Sequence, residues 1–206
     1  MYSITTIIIV LTSIISFLAF NNPRLMNALI FWPPAVSMRH QYYRFVTCGF
    51  IHADIMHLAF NMLTLYFFGR ALELYYMGDL GLQQYYYVIL YFSALIVANI
   101  PSYLKHRDDY NYRSLGASGA VCAVLFAFIL LRPWAPIVLF VIKMPAIIYA
   151  LLFLGYSIYM SRRGGDNVNH DAHLWGALFG ILFTIAVRPS VIGSFLNELS
   201  QPRFDF

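Results

Sequence analysis

The sequence predicts an all-α fold: a polytopic membrane protein built as a bundle of six transmembrane helices. Three observations predict it. Of the 206 residues, 61% are hydrophobic and only 11% are charged, where a soluble domain carries about a quarter. So few charges cannot coat a water-facing surface, and much of the surface must face lipid. Six segments approach the length, about 20 apolar residues, that carries a helix across hydrocarbon. Period-2 alternation is absent from them, and lipid does not tolerate an open sheet edge, so strands are a poor alternative.

The segments are 4–21, 54–76, 83–104, 115–131, 145–161 and 170–187. Asn22-Pro23 stops the first. The loop that follows, 22–53, holds Phe31-Trp32-Pro33-Pro34 and Tyr42-Tyr43, aromatics that favour the membrane–water interface. It reads as an interfacial loop beside the bundle, with Arg44 as an anchor. Asp79 and Gly81 mark the next turn. Lys105-His106-Arg107-Asp108-Asp109 is too charged for hydrocarbon and forms a loop. Pro133 and Pro136 end the fourth segment, and Pro145 suits the first turn of the fifth. Arg162-Arg163-Gly164-Gly165-Asp166 separates the last two, and Arg188-Pro189 ends the sixth. Residues 1–206 read as a single membrane domain without internal repeats. The first segment lacks the basic flank and small-residue cleavage site of a signal peptide.

Composition also excludes classes of function. The net charge of +4 is scattered, with no dense Lys/Arg run to grip nucleic acid. Cys48 and Cys122 do not form a disulfide framework. No Cys/His cluster has zinc-finger spacing, His-Glu-x-x-His is absent, and no metal site is expected. A small transporter would show midplane charges or paired broken helices, and neither is evident.

Polar side chains inside spans are costly and each needs a reason. His57 and Asn61 sit near the start of the second span, Ser118 at the start of the fourth, and His173 near the start of the sixth. These three spans cross in the same direction, so their N-terminal ends share one face, and the polar groups share a depth. Lateral closeness follows from small residues at four-residue spacing, which let membrane helices approach. Gly119, Ala123 and Ala127 line one span, and Ala172, Gly176 and Gly180 line the other. A close crossing there brings the Ser118 hydroxyl within reach of the His173 imidazole.

That contact has a chemical use. A serine hydroxyl becomes a nucleophile when a base takes its proton, and histidine titrates in the right range. Peptide hydrolysis also needs donors for the oxyanion. His57 and Asn61 lie one turn apart on one face, and the Ser118 amide at a helix N-terminus is a third donor. Gly116 allows close backbone approach. Asp171 lies two positions from His173 and so points to another face, which leaves a Ser–His dyad. Taken singly, Ser118 and His173 are more often packing residues; their shared face and depth carry the reading. His52 reads as a structural hydrogen-bonding residue, Glu73 as a partner for helix-end groups, and Lys143 and Arg132 as snorkelling anchors.

From about Arg44 to Gly180 the sequence resembles the rhomboid family of intramembrane serine proteases. Four stretches carry the resemblance: Arg44-Phe45-Val46-Thr47 with Phe50-Ile51-His52-Ala53-Asp54; His57-Leu58-Ala59-Phe60-Asn61-Met62 followed by Gly69 and Glu73; Gly116-Ala117-Ser118-Gly119-Ala120; and Ala172-His173-Leu174-Trp175-Gly176 with Gly180. The resemblance implies a six-helix bundle in which Ser118 attacks the scissile carbonyl. His173 acts as base and then acid, and His57, Asn61 and the Ser118 amide hold the oxyanion. It implies single-span transmembrane protein substrates within the lipid bilayer, no cofactor, and a multi-pass protein, here expected in a bacterial inner membrane. The alternative is a catalytically inactive relative that binds membrane clients; such relatives typically lack the Ser or the His.

Two positions depart from the family's pattern. Tyr43-Arg44 stands where Trp-Arg is common, and Cys122 stands where many members place a Tyr that stacks on the base. Orientation is a further tension. The resemblance implies a cytoplasmic N-terminus and an active face on the other side. Arg24, Arg39, Arg44, Lys105, Arg107, Arg113, Arg162 and Arg163 then lie outside, against Arg70, Arg132, Lys143, Arg188 and Arg203 inside, contrary to the positive-inside rule.

Overall fold

A peptide group in hydrocarbon has no water to bond, so an apolar segment satisfies its backbone by winding into a helix. The structure, a computed structural model, describes residues 3–139, 141–166 and 168–202; Arg203, counted above among the basic residues of the inner face, lies outside them. In chain order the helices are α1 (Ile4–Phe20), α2 (Pro23–Leu29), α3 (Pro33–Arg39), α4 (Arg44–Thr47), α5 (Ile55–Thr64) and α6 (Arg70–Met77). A π-helical turn at Leu65–Gly69 joins α5 and α6 into one run, Ile55–Met77. Then follow α7 (Tyr85–His106), α8 (Ser118–Leu131), strands β1 (Pro136–Leu139) and β2 (Ile142–Pro145), α9 (Ala146–Arg163), α10 (His170–Val187) and α11 (Val191–Leu199).

Each of the six apolar segments is therefore helical. Among the described residues, Ile55–Met77, Tyr85–His106 and His170–Val187 are long and apolar enough to cross a membrane, and α1 and α8 are apolar but shorter. The ends follow local chemistry. The Asn22 side chain accepts from the Leu25 amide at 3.1 Å and Pro23 opens α2, which ends α1 by starting a new helix. Asp54 caps α5 through the His57 amide at 2.8 Å. Buried Glu73 accepts from the Ile4 and Thr5 amides at 2.8 and 3.2 Å, from Ser3 Oγ at 2.7 Å and from Gln84 at 2.7 Å. It bonds helix-end groups, as its place suggested, by capping the positive end of α1.

Two features differ from the sequence reading. β1 and β2 pair antiparallel, with Ile137 opposite Met144, where no strand was expected. Four residues per strand are too few for alternation to register. The loop at 22–53 is mostly helical and has a small core of Phe31, Val36 and Cys48, packed by Phe45, Tyr103 and Tyr112. Arg44, expected as an interfacial anchor, is buried instead. Its guanidinium donates to the Asn27 and Ile30 carbonyls at 2.9 and 2.6 Å and to Gln41 Oε1 at 2.7 Å. It satisfies orphan carbonyls at the end of α2 and so holds the loop's shape. Met38, Tyr42 and Tyr43 remain on its outer surface.

Burial places α8 at the centre, since every residue from Gly119 to Leu130 is buried. α7 and α10 flank it. The outer helices turn large apolar side chains outward, including Ile14, Phe17 and Leu18 of α1 and Leu151 and Leu152 of α9. Such exposed apolar faces suit lipid, not water. The central helix is short. Fourteen residues rise about 21 Å, against roughly 30 Å of hydrocarbon.

Candidate active site

The crossing of α8 and α10 sets the site. A Cβ on Gly176 would lie 2.1 Å from the Gly119 carbonyl oxygen, and one on Gly180 would lie 2.0 Å from that of Ala123. A Cβ on Gly119 would meet the Ala98 Cβ at 2.7 Å, so α7 presses on the same helix. The two stripes of small residues thus meet backbone to backbone, which is the contact their spacing anticipates.

His173 stands one turn above Gly176. Its Nε2 lies 2.8 Å from Ser118 Oγ, a good hydrogen-bond length. Ser118 is the first residue of α8, and Ala117 at the N-cap has no side-chain oxygen to offer. The first amides of α8 therefore lack intrahelical partners and carry the positive end of the helix dipole. Both residues line a cavity of about 820 Å³ together with His57, Asn61, Gly116 and Asn99. All four side chains singled out in the sequence reach one space.

His57 and Asn61 approach from α5. Asn61 Nδ2 donates to the His57 carbonyl at 2.9 Å, which fixes the amide and leaves its second N–H uncommitted by that bond. Gly116 has φ +116°, and a Cβ there would lie 2.7 Å from His57 Cε1. Glycine is thus required twice over, for the backbone angle and for the imidazole. The close neighbour of Gly116 is this ring.

His52 is fully buried in the turn before α5 and ties three elements together. The Ala117 amide donates to its Nε2 at 3.3 Å, and its Nδ1 lies 3.0 Å from Ser16 Oγ, which in turn donates to the Phe50 carbonyl at 2.9 Å. With Nε2 accepting, the proton sits on Nδ1 and donates to Ser16. This structural role matches the sequence reading, and it fixes the residue next to Ser118. Burial, first, and then the neighbouring His57 push His52 down to about 3 from 6.5. The sign follows. The unfolded chain takes a proton that the folded state rejects, so this residue's share of stability is complete above pH 6.5 and is lost as pH falls toward 3. His52→Gln, which keeps a donor and an acceptor, is expected to flatten the fall of the thermal midpoint over that window in detergent. An unaltered slope would contradict the assignment.

The rhomboid domain pattern matches residues 39–190, most of the chain. The chain belongs to the rhomboid family. It is an integral membrane protein. It is 34% identical over 156 residues to RHOMBOID-like protein 12, mitochondrial, of Arabidopsis thaliana, covering 69% of this chain and 46% of that one. It is 26% identical over 193 residues to Putative rhomboid protease YdcA of Bacillus subtilis, covering 89% and 88%. It is 33% identical over 140 residues to Rhomboid protein 1, mitochondrial, of Saccharomyces cerevisiae, covering 66% and 39%. The chain thus spans under half the length of the plant and yeast relatives and most of the bacterial one. The expected bacterial inner membrane gains no support from these names, two of which are mitochondrial.

Three site neighbours of this rhomboid chain escaped the sequence reading. Phe153 of α9 lies 5.9 Å from the His173 ring at 32°, an aromatic contact supplied from another helix where Cys122 provides none. No single-sequence pattern marks it. Asn169 caps α10 through the Ala172 amide at 3.0 Å, accepts from Ser102 at 3.1 Å and donates to Ser114 at 3.2 Å. An Asn before an apolar run is an N-cap signal, so this one was legible. His170 packs edge-on against His173, 5.7 Å between centroids; its spacing of three put it on the same face. Asp171 faces away as expected, bound to Ser161 and lying 3.5 Å from Lys105. Among the described residues no group of three His, Cys, Asp or Glu is arranged to hold a metal ion.

Proposed function

We propose that the chain is an intramembrane serine endopeptidase acting through a Ser118–His173 dyad. One observation carries the reading: the 2.8 Å contact between the hydroxyl and the imidazole at a cavity into which water can pass. The Ser118 hydroxyl donates to His173 Nε2. His173 takes the proton as Oγ attacks the scissile carbonyl, then returns it to the leaving amide nitrogen. The Ser118 amide, the His57 ring and the Asn61 amide are positioned to receive the oxyanion. Water activated by His173 then releases the acyl chain. No step calls for a cofactor.

The substrates are single-span transmembrane proteins, as the resemblance to the rhomboid family implies, and the apolar outer faces of the bundle support a site within reach of lipid. The short central helix supports a nucleophile sunk below the membrane surface. The six apolar segments cross the bilayer as one membrane domain, with the active face opposite the cytoplasm. The excess of basic residues on that face is partly spoken for: Arg44 is buried on carbonyls, Lys105 lies near Asp171 and Arg107 near Asp108. The competing reading, an inactive client-binding relative, gives no reason for a formed hydroxyl–imidazole contact. The test is purification in detergent and incubation with a model transmembrane substrate. Cleavage within the membrane segment is expected; an intact substrate, with the chain folded, would overturn the proposal.

A further inference from the structure

The dyad lacks an acidic partner on His173, yet a carboxylate and a second histidine lie beside it. His170 is one turn before His173 on α10 and its side chain is 5% exposed. Its Nε2 lies 3.0 Å from Asp166 Oδ2. An ionised carboxylate only accepts, so Nε2 donates to Asp166, and the remaining ring nitrogen is Nδ1. That Nδ1 is buried with no hydrogen-bond partner among the described residues. A buried polar atom left without a partner is costly and calls for a reason. Edge-on to this ring, 5.7 Å away at 78°, is the base. Asp166 itself lines the catalytic cavity.

The geometry points to Asp166 and His170 as a positioning pair for the base, supplying from the loop before α10 the negative charge that the dyad lacks. The inference rests on the Ser118–His173 reading. Asp166 orients the His170 ring and fixes its tautomer. His170 walls the His173 ring on one side while Phe153 faces it at 5.9 Å, so the imidazole keeps its direction toward Ser118. Asp166 is exposed and partly screened by solvent, but its charge acts across the buried His170 ring and favours the proton-bearing His173 that forms when Ser118 attacks. The hydrogen bond from His170 holds Asp166 below the usual carboxylate range, in keeping with an ionised partner. Other ionisable groups around the two rings are Tyr156 on α9, whose ring lies 5.7 Å from that of His170, His57 on α5, and the Lys105–Asp171 pair between α7 and α10.

The test is the pH profile of cleavage for Asp166→Asn, which keeps the shape and removes the charge. The base acts when neutral, so the acid limb of kcat/KM reports its loss of a proton. Without the carboxylate the base sheds its proton more easily. The acid limb is expected to move to lower pH by about half a unit, with kcat down roughly tenfold, less than the ~10²–10⁴-fold that a proton-transferring group itself contributes, and KM unchanged. Asp166→Glu should restore both. His170→Ala should lower kcat similarly, and the double variant should lose little more, because the two act as one unit. An acid limb that superimposes on the wild type, whatever happens to kcat, would leave the pair merely structural and overturn the inference. Ser118→Ala runs in the same assay: undiminished cleavage there would sink the dyad itself, a different result from an unmoved profile.

Discussion

Ser118→Ala and His173→Ala are each expected to lower the cleavage rate by at least about 10⁴-fold, with the chain still folded. In the proposed mechanism the alcohol is the nucleophile, and no other hydroxyl approaches the His173 nitrogen among the described bonds. Without the imidazole the alcohol stays protonated and weak. The double variant should be no slower than either single one, because nucleophile and base work as a unit. Stability should change little, since the Ser118–His173 bond faces the cavity and the small-residue contact between α8 and α10 is untouched. The measurement is the initial rate on a transmembrane substrate, with thermal unfolding in detergent as control. Wild-type turnover in Ser118→Ala would remove the mechanism.

Gly176→Ala is expected to cost nearly as much by a different route. The added Cβ would stand 2.1 Å from the Gly119 carbonyl oxygen and 2.9 Å from its carbon, and backbone cannot give way as a side-chain tip can. The helices must separate by about 1 Å, since a Cβ contact wants more than 3 Å. Overpacking of this kind costs roughly 1–3 kcal/mol. His173 rides on the same helix one turn away, so the 2.8 Å contact lengthens with the separation. A misplacement of about 1 Å can cost on the order of 100-fold in rate. Gly180→Ala meets Ala123 in the same way and should destabilise equally, with a smaller loss of rate because it lies farther from the base. Gly155→Ala is the control. Nothing lies within 4 Å of its Cβ, and alanine favours the helix by about 1 kcal/mol. If Gly176→Ala kept full rate and stability, the tight crossing would not be what delivers the imidazole.

That Ser118, His173, His57 and Asn61 reach one cavity was legible because two regularities act together. Span counting puts alternate helix starts on one face, and small residues at a four-residue period show which helices can touch. Both are one-dimensional properties that survive folding. Arg44 was misread for the opposite reason. A lone arginine among aromatics suits a membrane interface equally well as the carbonyls of a helix end, and only the folded loop shows that Asn27 and Ile30 present theirs to it. The β1–β2 hairpin was missed because its strands are four residues long.

Composition and spacing were enough to read the solvent, the helices and the approach of Ser118 to His173. Scarcity of charge dictates lipid, hydrogen bonding in lipid dictates helix, and glycine spacing dictates the one crossing close enough for Ser118 to meet His173. Which side chains surround Ser118 and His173 emerges from the folded chain alone. Phe153 arrives from α9, Asp166 from a loop, and the His52 bond to the Ala117 amide from a turn 65 residues before it. Contacts between elements distant in the chain depend on rotamer and register, which no periodicity records.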